Sequence, residues 1–423
     1  MHHFDYKGGV MHAEDVDLRE IARQISTPFY CYSSATLTRH YQVFAHAFAG
    51  ADALVCFAMK ANSNQAVLRT FANLGAGMDV VSEGELRRAR AAGVPGSRIT
   101  FSGVGKTERE IAYALDENIL CFNVESEPEL TAISTIATAK GMKARISIRV
   151  NPDVDAKTHR KISTGKSENK FGIPISRARE VYRDAAALPG IEVAGVDMHI
   201  GSQITDLAPF DDAFALLAEL VSVLRTDGHH IHHVDLGGGL GIPYRENEDP
   251  DSYHPRRYAE IVRKNTHNLG CKLIFEPGRL LVGNAGILVT RVVYVKSGDG
   301  RTFVIVDAAM NDLIRPTLYD AHHDIKPVTF PARGFQPVTV DVVGPICETG
   351  DYLALERLMP PSQPGDLLAV MTAGAYGAVQ AGTYNSRLLI PEVMVNADQW
   401  AIIRPRLSYD ELLNLDKIPS WLA

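Results

Sequence analysis

Between about residue 50 and residue 282 the chain repeats one pattern eight times: a short β-branched or aromatic run, then a segment of helical periodicity. The runs are Ala53 to Ala58, Met78 to Val81, Ile99 to Phe101, Ile119 to Val124, Ala144 to Val150, Val193 to Ile200, His233 to Leu236 and Lys272 to Phe275. Strands separated by helices must cross over, which predicts a parallel sheet. Three helices announce their starts with a hydroxyl followed three residues later by glutamate: Ser82 with Glu85, Thr107 with Glu110, and Ser126 with Glu129. Each reads as a capping box. The segments behind them, such as 85–90 and 110–115, are one-sided in polarity, as helices outside a barrel are. Eight such strands predict a (β/α)8 barrel. An open doubly wound sheet repeats the same units, and the strand count by itself leaves it open.

After residue 282 the rhythm changes to strands without long helices: Ile287 to Val295, Thr302 to Asp307, Val338 to Val343 and Leu367 to Met371. Turns such as 297–300 and 360–366, rich in Gly, Pro, Ser and Asp, fit sheet connections. The expected organisation is a barrel over residues 28–282 and a β-rich domain over 283–423, with residues 1–27 joining the latter or adding a strand to either. At 423 residues the chain is too long for one small module.

The balance of 43 Lys and Arg against 50 Asp and Glu gives a formal charge of −7, which offers no broad basic field, so no nucleic-acid partner is expected. Five scattered cysteines without a CxxC pair argue against a disulfide framework or structural zinc. No stretch approaches the roughly 18 apolar residues of a membrane span, and the start of the chain lacks a basic segment followed by an apolar run. A cytoplasmic protein without membrane contact is expected.

In a barrel, chemistry gathers where strands end at the C-terminal face. Here those ends carry Lys60 after strand one, Asp79 in strand two, His199 to Ser202 after strand six, Gly237 to Gly239 after strand seven, and Glu276 to Arg279 after strand eight. Lys60 follows an almost uncharged strand, where partial burial favours the neutral amine that carbonyl chemistry needs; a lone lysine there would more often snorkel outward. The glycine run lets backbone approach an anion such as phosphate, and it lacks the GxGxxG spacing of a dinucleotide loop. Glu276 could hold a proton on a ring nitrogen and Arg279 could bind a carboxylate, or the two could pair with each other. His199 could stack on a planar cofactor, act in acid-base catalysis or sit in the core. The pairs His229-His230, His232-His233 and His322-His323 show no recurring ligand spacing, and neighbours in extended chain face opposite ways, so no metal site is expected.

A strand-end lysine, a stacking histidine, a glycine-rich phosphate loop and an acid for a pyridine nitrogen are what a pyridoxal 5′-phosphate (PLP) site requires. The order and wording of the motifs resemble the fold-type III PLP-dependent decarboxylases, and among them the diaminopimelate decarboxylase family. The resemblance runs from Phe29 to about Val393. It is carried by Phe57-Ala58-Met59-Lys60-Ala61-Asn62, by the stretch from Met78 to Leu86, by His199-Ile200-Gly201-Ser202-Gln203, by Asp235 to Gly239, by Glu276-Pro277-Gly278-Arg279, by Cys347-Glu348-Thr349-Gly350-Asp351 and by Gly374-Ala375-Tyr376-Gly377.

The resemblance implies that Lys60 binds PLP covalently, His199 stacks on its ring, Glu276 keeps the pyridine nitrogen protonated, and Asp79 lies close to both lysine and ring. Ser202, Gly237, Gly238, Gly239 and the segment Pro277, Gly278 and Arg279 would hold the phosphate side, with Tyr376 near cofactor and substrate. The implied reaction is decarboxylation of meso-2,6-diaminopimelate at its D-centre to L-lysine, with Cys347 returning the proton. Arg279, Arg315 and Tyr319 would bind the distal carboxylate and Glu348 the distal ammonium. Ornithine-type relatives typically carry Asp then Gly after the cysteine, where this chain has Glu348-Thr349-Gly350. The segment 159–165 with Lys170-Phe171-Gly172 resembles an active-site loop of the diaminopimelate branch. Cys347 and Glu348 would reach a partner subunit's site, which implies a homodimer. Alternatives are a decarboxylase of D-lysine, D-ornithine or a carboxylated polyamine, and an inactive PLP-binding homologue. Alanine racemases share a similar scaffold but tend to avoid a protonated ring nitrogen, which Glu276 favours.

Overall fold

A computed structural model describes residues 2–156, 158–162, 164–165, 169–245, 247–249, 251–298, 300–331 and 334–422. The chain divides into two compact units. One spans Thr38–Pro243 and Asn247–Leu281, and the other gathers Met1–Leu37, Tyr244–Glu246 and Val282–Ala423.

The first unit is the expected barrel. Its strands are Ala53–Ala58, Gly77–Val80, Ile99–Phe101, Cys121–Val124, Ala144–Asn151, Ile191–Asp197, His233–Asp235 and Lys272–Phe275. All neighbours pair in parallel, and Leu273 of the eighth strand pairs with Ala53 of the first, closing the circle. Closure excludes the open sheet. It also explains the continuous apolar runs, because each strand is covered inside by its neighbours across the barrel and outside by helices.

The caps differ from the simple expectation in one detail. Thr107 and Glu110 form a full reciprocal box. Ser82 and Ser126 accept from the amides of Glu85 and Glu129 as expected. The two glutamates, however, reach one residue further back, to the amides of Val81 and Glu125, both at 2.9 Å. Each carboxylate thereby ties a helix start to the end of the preceding strand.

The second unit is β-rich. Its main sheet runs in the order Tyr352–Met359, Val338–Val343, Arg301–Val306, Gly286–Gly298, Phe29–Ser33, Glu392–Asn396 and Gln399–Arg404, and Leu367–Val370 also pairs with Gly286–Gly298. Residues 28–37, read from the sequence as the start of the barrel, belong here. Phe29 pairs with Val289 and Cys31 with Val393, so the strand is central to the sheet. Its alternation feeds two cores: Phe29 and Cys31 pack with Leu18, Ile21 and Ile287, while Tyr30 and Tyr32 pack with Leu288, Val304 and Leu353. Residues 4–17 form a small three-stranded antiparallel sheet, followed by helix Leu18–Ile25 in the same unit. Among the described residues, no helix is long and apolar enough to cross a membrane.

Candidate active site

The strand ends of the barrel bring the expected residues together. Lys60 lies in a single 3-10 turn, Met59–Ala61, directly after strand one. Its Nζ is 2.8 Å from Oδ2 of Asp79, which is fully buried in strand two. The lysine side chain is 40% exposed, so the pair opens toward solvent on the lysine side only.

Beneath this pair the barrel holds a cluster of acids. Asp197, Asp235 and Glu276 bring one oxygen each within 4.8 Å of one another. Glu276 accepts from Thr100 Oγ1 at 3.1 Å and from Asn123 Nδ2 at 3.2 Å. Burial, and then the charges of Asp235, Asp79 and Asp197, hold the Glu276 carboxyl well above the usual range. Burial pushes Asp235 up to about 6, opposed by the Gly237 amide on its Oδ1 at 2.9 Å. Asp197 is raised by burial and by Asp235. Such a cluster disfavours a charge on Glu276, and a cation facing it would favour one.

The loop after strand seven fits close against this acid. A Cβ on Gly238 would stand 2.2 Å from the Glu276 carbonyl oxygen, and Gly239 adopts φ +104°, so side chains are excluded here by space and by backbone conformation. The Gly238 amide donates to Nδ1 of His199 at 3.2 Å. Nδ1 is therefore an acceptor, and the ring proton sits on Nε2. Burial, then Arg149 and Lys60, lower the His199 pKa well below its ordinary value. The imidazole is held as a flat, uncharged ring, suited to stacking and unsuited to acting as a cationic acid.

Glu276 and Arg279, which could have paired with each other, diverge. Glu276 turns into the barrel, while Arg279 is buried with Nη2 3.1 Å from Ser202 Oγ. The Pro277 carbonyl accepts from the Ala58 amide at 3.2 Å, which fastens the strand-eight turn to the residues that carry Lys60.

Sequence reasoning did not single out Thr100, Asn123, Glu125, Arg149 or Asp197. Arg149 and Glu125 form a buried ion pair at 2.8 Å. Glu125 also accepts from the Gly172 amide at 2.9 Å, and the Arg149 guanidinium lies 5.0 Å from the Phe171 ring centre. The segment 170–172 is thus bound to the ends of strands four and five. Thr164 Oγ1 donates to the His199 carbonyl at 3.1 Å. Ser163, in the loop expected beside the site, lies outside the described residues.

The remaining expected residues lie in the β-rich unit. Arg315 is buried at the start of the short helix Arg315–Tyr319, and Tyr319 closes that helix half-buried. Two residues after Arg315, Thr317 Oγ1 donates to the Gly350 carbonyl at 2.6 Å, placing the helix beside the loop of Cys347 and Glu348. That loop is braced by the Asp351 carboxylate, which accepts from the Met310 and Ile346 amides at 2.6 Å each. The Cys347 amide donates to Asn385 Oδ1 at 2.9 Å. The side chains of Cys347 and Glu348 remain exposed. Tyr376 adopts the left-handed backbone region at φ 55°, which a bulky residue keeps only where its surroundings hold it.

Residues 34–283 match the family model of the pyridoxal-dependent decarboxylases, described as the pyridoxal binding domain, which sets the class. The whole chain is 48% identical to a diaminopimelate decarboxylase of Zymomonas mobilis over 422 residues, with 99% of each chain covered. It is 49% identical to that of Vibrio cholerae over 420 residues, again covering 99% of each. The crystal structure of diaminopimelate decarboxylase from Helicobacter pylori complexed with L-lysine superposes with a TM-score of 0.90 at 42% identity, covering 94% of this chain and 99% of that one. The chain belongs to the diaminopimelate decarboxylase family of pyridoxal-dependent decarboxylases.

The residues present fit PLP. A buried acid whose charge a facing cation would favour suits a protonated pyridine nitrogen, the side-chain-free loop suits close approach of a phosphate, and Lys60 offers a partly exposed side chain beside a carboxylate.

Proposed function

We propose that this chain decarboxylates meso-2,6-diaminopimelate at its D-centre, releasing carbon dioxide and L-lysine. The observation that carries this reading is likeness over the full chain, so that both the barrel residues and the Arg315 to Tyr376 set are included. Bound PLP supplies the electron sink for the pair left behind when carbon dioxide departs.

The chain's residues divide the remaining work. Lys60 anchors the cofactor and Asp79 holds the lysine in place. His199 covers the ring with a neutral face. Glu276 keeps a proton on the ring nitrogen, and Ser202, the glycine loop and Gly278 receive the phosphate. Arg279, Arg315 and Tyr319 take the distal carboxylate, Glu348 takes the distal ammonium, and Tyr376 contacts both cofactor and substrate. Cys347 donates the proton that replaces the lost carboxylate. The five cysteines are unbridged, which suits a reducing cytoplasm.

The assay is direct: the PLP-loaded enzyme receives meso-diaminopimelate while carbon dioxide and L-lysine are followed. Equimolar formation of both is expected. Faster turnover of D-lysine or D-ornithine than of meso-diaminopimelate would move the function to a neighbouring decarboxylase, and full PLP occupancy without carbon dioxide would leave only a binding role.

Cys347 and Glu348 complete the site of a second copy of the chain, so the working unit is a homodimer. Their exposure on the β-rich unit supports this. Mixing inactive Lys60→Ala and Cys347→Ala chains is expected to restore up to about a quarter of normal activity, because about half of randomly re-paired dimers contain one intact site of two. Sedimentation as a monomer at assay concentration, or no recovery on mixing, would rule the shared site out.

A further inference from the structure

Arg315 rests in a socket made by two rings of its own unit. Its Nη1 lies 2.8 Å from Nε2 of His323, and its guanidinium carbon lies 4.8 Å from the centre of the Tyr244 ring. The two rings meet edge to face with centres 5.3 Å apart. His323 is fully buried, and its Nδ1 is 2.9 Å from the Met371 carbonyl oxygen. These partners fix its protonation. A guanidinium only donates and a carbonyl only accepts, so Nε2 accepts from Arg315 and Nδ1–H donates to Met371. Only the neutral imidazole with its proton on Nδ1 satisfies both.

The backbone behind the ring is held separately. Arg357 Nη1 donates to the His323 carbonyl at 2.7 Å, and its Nη2 lies 3.1 Å from Nδ1 of His322. His322 is paired in turn with Asp324 at 2.8 Å. The His323 side chain is therefore anchored from one side and presents a single lone pair to Arg315.

We propose that His323 is a positioning residue for substrate selectivity, which with Tyr244 fixes the plane of the Arg315 guanidinium for the carboxylate at the far end of the substrate. The inference rests on the reading above, in which Arg315 binds that carboxylate. A planar, two-pronged pairing requires guanidinium and carboxylate to share a plane, and an arginine left to its rotamers would have to be ordered at the moment of binding. His323 touches neither the cofactor nor the reacting centre in this scheme. Its loss falls on binding and spares the chemical step.

The test uses the PLP-loaded enzyme and two inhibitors: L-lysine, which keeps the distal carboxylate, and cadaverine, which lacks it. His323→Asn preserves a donor for the Met371 carbonyl but removes the acceptor facing Arg315. It is expected to weaken L-lysine inhibition about tenfold and to raise KM for meso-diaminopimelate similarly, with kcat and cadaverine inhibition within about twofold. His323→Gln carries an amide oxygen to the position of Nε2 and is expected to recover L-lysine binding to within about threefold. Inhibition constants for the two ligands that move together, or no recovery with glutamine, overturn the proposal. Arg315→Met separates the two readings. If it weakens L-lysine selectively while His323→Asn does not, the socket is wrong and the assignment of Arg315 stands. If it leaves the ratio of the two constants unchanged, the assignment of Arg315 fails and the socket with it. Should His323→Asn not fold, Tyr244→Leu removes the ring beneath the guanidinium, and absence of the same selective loss overturns the proposal.

Discussion

Lys60→Ala is expected to bring turnover below about one thousandth of the wild-type rate, the scale set by removing the group that binds the cofactor covalently. Two losses combine. The cofactor loses its covalent anchor, and Asp79 loses the cation 2.8 Å away while remaining fully buried. A buried carboxylate left without its partner is costly, so the order of the site suffers as well. The measurement is turnover alongside the visible absorbance of bound PLP, with circular dichroism to show that the barrel is intact. Loss of the covalently bound absorbance with an intact fold is the expected result. Turnover that persists without an added amine would falsify the anchoring role.

Glu276→Gln is expected to lower kcat by at least about a hundredfold, the magnitude associated with removing one preorganised electrostatic contact to developing charge. Burial and three neighbouring carboxylates raise the Glu276 pKa, so a cation opposite this acid would favour its charged form. Glutamine keeps the hydrogen-bonding shape toward Thr100 and Asn123 but supplies no charge to hold a proton on the facing nitrogen. Cofactor occupancy should stay near that of the parent enzyme, since Lys60 and the glycine loop are untouched. A variant with full occupancy and kcat within about threefold of the parent would mean that Glu276 is only a packing acid.

Most of the barrel was legible because a strand buried on both faces must be written as an apolar run, and eight such runs stand out between helical segments. The domain boundary set at residue 28 put Phe29–Ser33 with the barrel. That segment is an apolar run followed by a helix, indistinguishable in period from a barrel unit, yet it is buried between two layers of the β-rich unit. Strand Tyr352–Met359 was missed for the opposite reason, since Glu356 and Arg357 interrupt its apolar residues.

In the site, residues at strand ends were found because a break from apolar to polar is visible in the sequence. Thr100, Asn123 and Arg149 were not. Thr100 and Asn123 are each the one polar residue of a short apolar strand, Arg149 alternates with Arg145, Ser147 and Asn151 in a longer one, and only closure of the barrel turns them toward a shared interior. The available signal was the recurrence of a lone polar residue in successive strands, which is improbable in an ordinary buried sheet. Likewise, nothing in the pair His322-His323 distinguished the histidine facing Arg315 from its neighbour on Arg357 and Asp324, since alternation gives them different faces but not different partners.

The interleaved order of the β-rich sheet sets the schedule on which a ribosome can deliver a finished molecule. Phe29–Ser33 is translated early, but both strands that flank it, Gly286–Gly298 and Glu392–Asn396, emerge only after the whole barrel has been made. The barrel can close while the chain is still being synthesised, with all eight of its strands supplied by one continuous stretch. The apolar faces of Phe29 to Tyr32 must meanwhile wait with unpaired edges, the condition that invites chaperones and mispairing between nascent chains.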